Sequence, residues 1–150
     1  MKRVIAFLIL ILFLAGCKIV SLNNVPDFDF ESLIIISTNS SLYDTSNIQN
    51  GNQYYYEFDK KSGEKALQNL QYDEIEGIVY YFEKDYDIKQ IKNKLDFCFE
   101  GEKVDDIEIV YGYDKNYPDF RYINGKKVNV QIAENSTNIV VGYPLILCGY

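Results

Sequence analysis

Over the second half of the chain, apolar and polar positions alternate with a period of two, and that spacing predicts strands. Ile107, Ile109, Tyr111 and Tyr113 alternate with Glu108, Val110 and Gly112. After a Tyr117-Pro118-Asp119 turn comes Phe120-Arg121-Tyr122-Ile123, then Asn124-Gly125, then Lys126 to Ala133. Asn-Gly between two strand patterns is a strong hairpin signal, because both residues tolerate positive φ. Val128, Val130 and Ile132 mark the buried face of the returning strand. A second hairpin turns at Glu134-Asn135-Ser136, Thr137 to Val141 returns, and Pro144 bends the chain before Leu145-Ile146-Leu147.

The first half is more mixed. Leu33 to Ile36 is a β-branched run of strand length, expected to be buried. Thr38 to Asn52, rich in Ser and Asn, reads as a loop, and Gln53 to Phe58 as a strand. Residues 63–71 predict a short helix with Ala66, Leu67 and Leu70 on one side. Ile75, Gly77, Val79 and Tyr81 alternate as a further strand. The clearest helix starts at Asp87, which has capping-box spacing to Gln90. Ile88, Ile91 and Leu95 form its apolar side, Lys89, Lys92 and Lys94 its wet side, and it is expected to stop before Gly101. Together these elements predict an α+β domain, an antiparallel β-sheet with one or two helices packed on one face.

The N-terminus is patterned differently. Met1-Lys2-Arg3 precedes an apolar run from Val4 to Ala15, followed by Gly16 and Cys17. A basic start, a short apolar stretch and small residues before a cut make a secretory signal. Twelve apolar residues are too few for a bilayer core, which needs about 20. Leu14-Ala15-Gly16-Cys17 resembles the lipobox of bacterial prolipoproteins. That resemblance implies diacylglyceryl transfer to the Cys17 thiol and cleavage before it. It predicts residues 1–16 as signal peptide, 17–31 as lipidated N-terminus and tether, and 32–150 as one domain. The tether contains Asp27, Asp29 and Glu31 alternating with Phe28 and Phe30, and is expected to act as an acidic spacer. Two or more acyl chains hold a protein stably on a membrane, where one holds it marginally. Lys18 stands where an inner-membrane retention Asp would be, which leaves either membrane open in a two-membrane cell.

Charge adds an exclusion. Twenty-two acids against 15 bases give a net charge of -7, which argues against sequence-independent nucleic-acid binding. Removing residues 1–16 takes Lys2 and Arg3 and no acid, leaving 13 bases, 22 acids and a net -9. Such a domain should be repelled by an anionic membrane and stand off on its tether. With no His, Ser-His-Asp triads, Cys-His dyads and His-bearing metal sites are excluded, and no cofactor motif is present.

Cys98 and Cys148 are the remaining thiols once Cys17 is acylated. Export permits a disulfide between them, closing 50 residues and contributing about 4 kcal/mol in the loop-entropy model; two buried free thiols are the alternative. Glu83, Asp85 and Asp87, and Asp114, Asn116 and Asp119, have the oxygen density of weak calcium loops without the calcium-loop pattern, and solvated acid is the expectation. Tyr54-Tyr55-Tyr56 and Tyr80-Tyr81-Phe82 are rings that could stack on sugars, although alternation sends half of each trio into the core. The functional expectation is non-catalytic binding or assembly at the cell envelope, with an envelope protein or glycan as partner. The alternative is an envelope glycan hydrolase with paired carboxylates.

Tyr111-Gly112-Tyr113, Asn124 to Ala133 and Gly142-Tyr143-Pro144-Leu145-Ile146 to Tyr150 resemble the C-terminal end of the YwmB-like proteins, extracytoplasmic bacterial proteins. That resemblance covers under a third of the chain. It implies a curved antiparallel sheet with helices on its convex side, as in the TATA-box-binding protein, and it implies no activity.

Overall fold

The computed structural model describes residues 28–70, 74–117 and 119–146. The elements in chain order are β1 (Ser32–Ser37), β2 (Ile48–Asn50), β3 (Gln53–Asp59), α1 (Lys60–Gln68), β4 (Ile75–Glu83), α2 (Ile88–Lys92), β5 (Phe97–Val104), β6 (Ile107–Tyr113), β7 (Arg121–Ile123), β8 (Lys126–Val128), β9 (Val130–Glu134) and β10 (Asn138–Tyr143). Eight strands form one sheet in the order β2-β3-β1-β4-β10-β9-β6-β5, and β7 and β8 pair by themselves. Every pairing is antiparallel. The α+β class expected from the periodicity is the class observed.

Register divides the side chains between two faces. One carries Leu33, Ile35, Tyr56, Ile78, Tyr80, Phe82, Val130, Ile132, Ile139 and Val141, and both helices cover it through Ala66 and Ile91. The other buries Ile36, Tyr55, Val79 and Val140. Parity explains the split of the tyrosine trios, since neighbouring strand residues point to opposite faces. Tyr56, Tyr80 and Phe82 are core on the helix face, so packing accounts for these rings.

Several boundaries differ from the sequence expectation. Phe28 and Phe30 are buried, so residues 28–31 belong to the packed domain rather than to a spacer. Phe28 meets Tyr80 edge-on at 5.3 Å and Phe82 at 5.7 Å, contacts that each add about 0.5–1.5 kcal/mol beyond area burial. Helix α1 starts three residues early because the Asp59 carboxylate accepts from Ser62 N at 2.8 Å, satisfying a free helix donor.

Helix α2 is one turn long. Asp87 accepts from Lys89 N, and the Gln90 side chain accepts from Tyr86 rather than closing a capping box. Asp96 N then donates to Tyr113 O, and the chain enters β5. Phe97-Cys98-Phe99 has the period of a strand, and pairing with β6 wins over extending a helix too short to be stable alone. Two further strands were not in the sequence reading: β5 itself, and short β2 within the 38–52 loop. The Asn124-Gly125 turn is as expected, with φ of 50° and 73°. The strand after it is interrupted at Asn129; the chain bends at 144–145, as Pro144 predicts, and residues 145–146 form no strand.

Candidate binding surface

Cys17 and Cys148 lie outside the described residues, as do the signal segment and most of the tether. Cys98 is exposed on the edge strand β5, not buried as the free-thiol alternative has it. The two acid clusters, expected to be solvated acid rather than calcium loops, are put to several uses. Asp87 caps α2. Asp114 is buried and accepts from Asn116 N at 2.8 Å. Asp119 lies apart, lining a depression with Gln53, Ile75, Phe120, Arg121 and Pro144. Glu83 and Asp85 border an open depression of about 380 Å³ with Asp29, Glu31, Lys60 and Tyr86, where Lys60 pairs with Asp29. Burial, then the Asp29 and Asp87 charges, raise the Tyr86 phenol. Among the described residues, no three acidic or thiol side chains converge as a metal site.

The sequence reading did not single out the surface built by β5, β6 and the β7–β8 hairpin. Five large apolar side chains are exposed among the described residues, and four of them lie on β5 (Phe97, Val104) or on and just before the hairpin (Phe120, Tyr122). Among the described residues β5 is the last strand of the sheet, with one side paired to β6. An open edge of this kind presents backbone donors and acceptors to a partner. Phe97 stacks on Tyr113 across the strands at 5.7 Å, and Phe99 lies against Tyr111 at 5.8 Å. These pairs share one face because each is in direct register.

The hairpin has two unlike faces. Arg121 is in register with Val128, and Ile123 with Lys126; Val128 is buried, so this face turns inward. Tyr122 is in register with Lys127, and this face turns to water. Tyr122 is 66% exposed and Phe120 42% exposed, and their rings meet edge-on at 5.7 Å. Lys127 Nζ sits 4.4 Å above the Phe120 ring, and Lys126 Nζ 4.4 Å above Phe99 on β5. The two cation–π contacts join hairpin and edge strand into one surface.

Asn129 sets the root of this hairpin. Its backbone N donates to Gly112 O, its Oδ1 accepts from Asp114 N at 2.7 Å, and its Nδ2 donates to Asp114 O and Tyr117 O. A buried amide with every group engaged locks the β8–β9 break to the 114–117 loop. In the sequence Asn129 reads as an ordinary solvent-facing strand residue between Val128 and Val130. Only the interruption of the ladder turns it inward.

No protein-family model, no curated protein and no solved structure matches the chain. Among the described residues, no helix is long and apolar enough to cross a membrane.

Proposed function

We propose that this protein is a bacterial lipoprotein, acylated at Cys17 and held outside the cytoplasm, whose domain binds an envelope partner without catalysing a reaction. The Leu14-Ala15-Gly16-Cys17 pattern supports the anchor. The likeness of residues 111–150 to the extracytoplasmic YwmB-like proteins points to the same compartment. The observation that carries the binding role is the clustering of exposed rings beside an open sheet edge, since contiguous exposed apolar surface marks interaction sites. The rival hydrolase reading needs two carboxylates converging in a cleft. The buried carboxylate among the described residues, Asp114, is instead engaged in its own loop.

Two measurements test the proposal. Cys17→Ser is expected to abolish lipid labelling and membrane retention; retention unchanged refutes the anchor. Phe97→Ser combined with Tyr122→Ser should leave the fold intact, because both side chains are exposed, and should remove capture of the partner bound by the wild-type chain. Equal capture by both would remove this surface from the function.

A further inference from the structure

The geometry points to the β7–β8 hairpin as a second membrane contact, docking on an anionic lipid surface beside the Cys17 anchor. This rests on the lipid-anchor reading above and names the partner of the hairpin part of that surface.

The charge distribution is the first ground. The chain is net acidic, yet from Phe120 to Ala133 it carries Arg121, Lys126 and Lys127 and no acid. Glu76 and Asp119 lie near Arg121 at the hairpin root, which leaves Lys127, on the face turned to water, and Lys126, over Phe99, as the charges beside the Asn124-Gly125 tip. The Debye length is about 8 Å at physiological ionic strength, so a membrane senses the charges nearest to it rather than the whole domain. The net -9 repels on average and thereby selects an orientation. The basic tip is what an anionic surface attracts.

The second ground is chemical. The face turned to water pairs two rings, Phe120 and Tyr122, with Lys127. An apolar ring body with a cation or hydroxyl at its rim suits the headgroup region, where aromatic side chains lodge and lysines reach the phosphates. The third ground is reach. Ten residues separate Cys17 from Phe28, the first described and buried residue, and extended they span about 35 Å. A domain of this size is also about 35 Å across. The tether therefore lets the hairpin touch the leaflet that holds the lipid, and the anchor keeps its local concentration high.

The chain has no Trp, so Tyr122→Trp places a single reporter on the exposed hairpin face. The full lipidated chain with this substitution would be reconstituted into phosphatidylcholine vesicles with and without phosphatidylglycerol, some with brominated acyl chains. With phosphatidylglycerol, the emission is expected to shift blue and to be quenched by the brominated lipid. Lys126→Glu with Lys127→Glu should lower the docking equilibrium constant by at least ~25-fold, from about fivefold per cation lost. A Gln68→Trp reporter on α1, which packs on the helix-covered face of the sheet, should show neither effect.

If the chain floats with vesicles and labels with lipid but the Tyr122→Trp reporter remains unquenched, the hairpin inference is overturned and the anchor stands. Quenching independent of phosphatidylglycerol and of the two lysines overturns the charge argument. A blue shift with a soluble anionic polysaccharide, absent with lipid, overturns it in favour of a glycopolymer. A chain that neither labels nor floats overturns the anchor and the inference with it.

Discussion

Gly142 on β10 tests how the second sheet face is closed. A Cβ at this position would lie 2.4 Å from Ile146 N, 2.5 Å from Leu145 C and 2.6 Å from Leu145 O. These are backbone atoms, so no rotamer change relieves the overlap, and residues 145–146 must lift off the sheet. Lifting breaks the bond from Ile146 N to Gln131 Oε1, 3.1 Å long. Disturbing one such part-buried bond costs roughly 1–3 kcal/mol. It also loosens Ile146 from the cluster of Ile36, Tyr55, Val79 and Val140, and overpacking of this kind adds about 1–3 kcal/mol. Gly142→Ala is thus expected to destabilise the domain by roughly 2–6 kcal/mol, a large share of the 5–15 kcal/mol typical of a native domain. Gly112→Ala is the matched control. Its Cβ meets Leu95 Cδ1 at 2.4 Å, the end of a side chain that can rotate away, so a much smaller loss is expected. Urea unfolding followed by far-UV circular dichroism reads both, as a shift in midpoint at constant slope. Equal midpoints for Gly142→Ala and wild type would refute the account of residues 145–146 as a fixed strap over this face.

Asn129→Ala removes the amide that serves Asp114 and Tyr117, leaves buried backbone groups without that partner, and should cost more than about 2 kcal/mol; loss below about 0.5 kcal/mol in the same urea assay would contradict the locked hairpin root. Gly125→Ala forces a Cβ onto a φ of 73° and should cost about 1 kcal/mol, with faster amide exchange in β7 and β8 as its signature. Burial, then the nearby Tyr56, pushes the Tyr43 phenol up to about 12. Its folded value lies above the unfolded value near 10, so its contribution is intact below pH 10 and declines as pH rises towards 12; Tyr43→Phe should flatten that alkaline decline, and an unchanged profile would discount it. Cys98 is exposed, so alkylation of the folded mature chain without reductant is expected to modify it, whereas protection until reductant is added would establish the bridge to Cys148.

Local pattern carried much of this protein. Alternation located β4 and β6, a β-branched run located β1, and Asn124-Gly125 located the hairpin, because side-chain period, residue type and positive φ are properties of a few adjacent residues. The Leu14-Ala15-Gly16-Cys17 motif is local in the same way, and the anchor proposal stands on sequence alone. The tertiary structure decided matters that depend on distant partners. Phe97 to Val104 became a strand because β6 offers a ladder, although the preceding residues read as a continuing helix. Phe28 and Phe30 became core because Tyr80 and Phe82 cover them, although their acidic neighbours read as a spacer. The candidate surface was invisible for a related reason: exposure is set by what packs above a residue, not by the residue. Tyr56 and Tyr122 are the same side chain, one sealed under a helix-covered sheet and the other turned to water on a hairpin outside it.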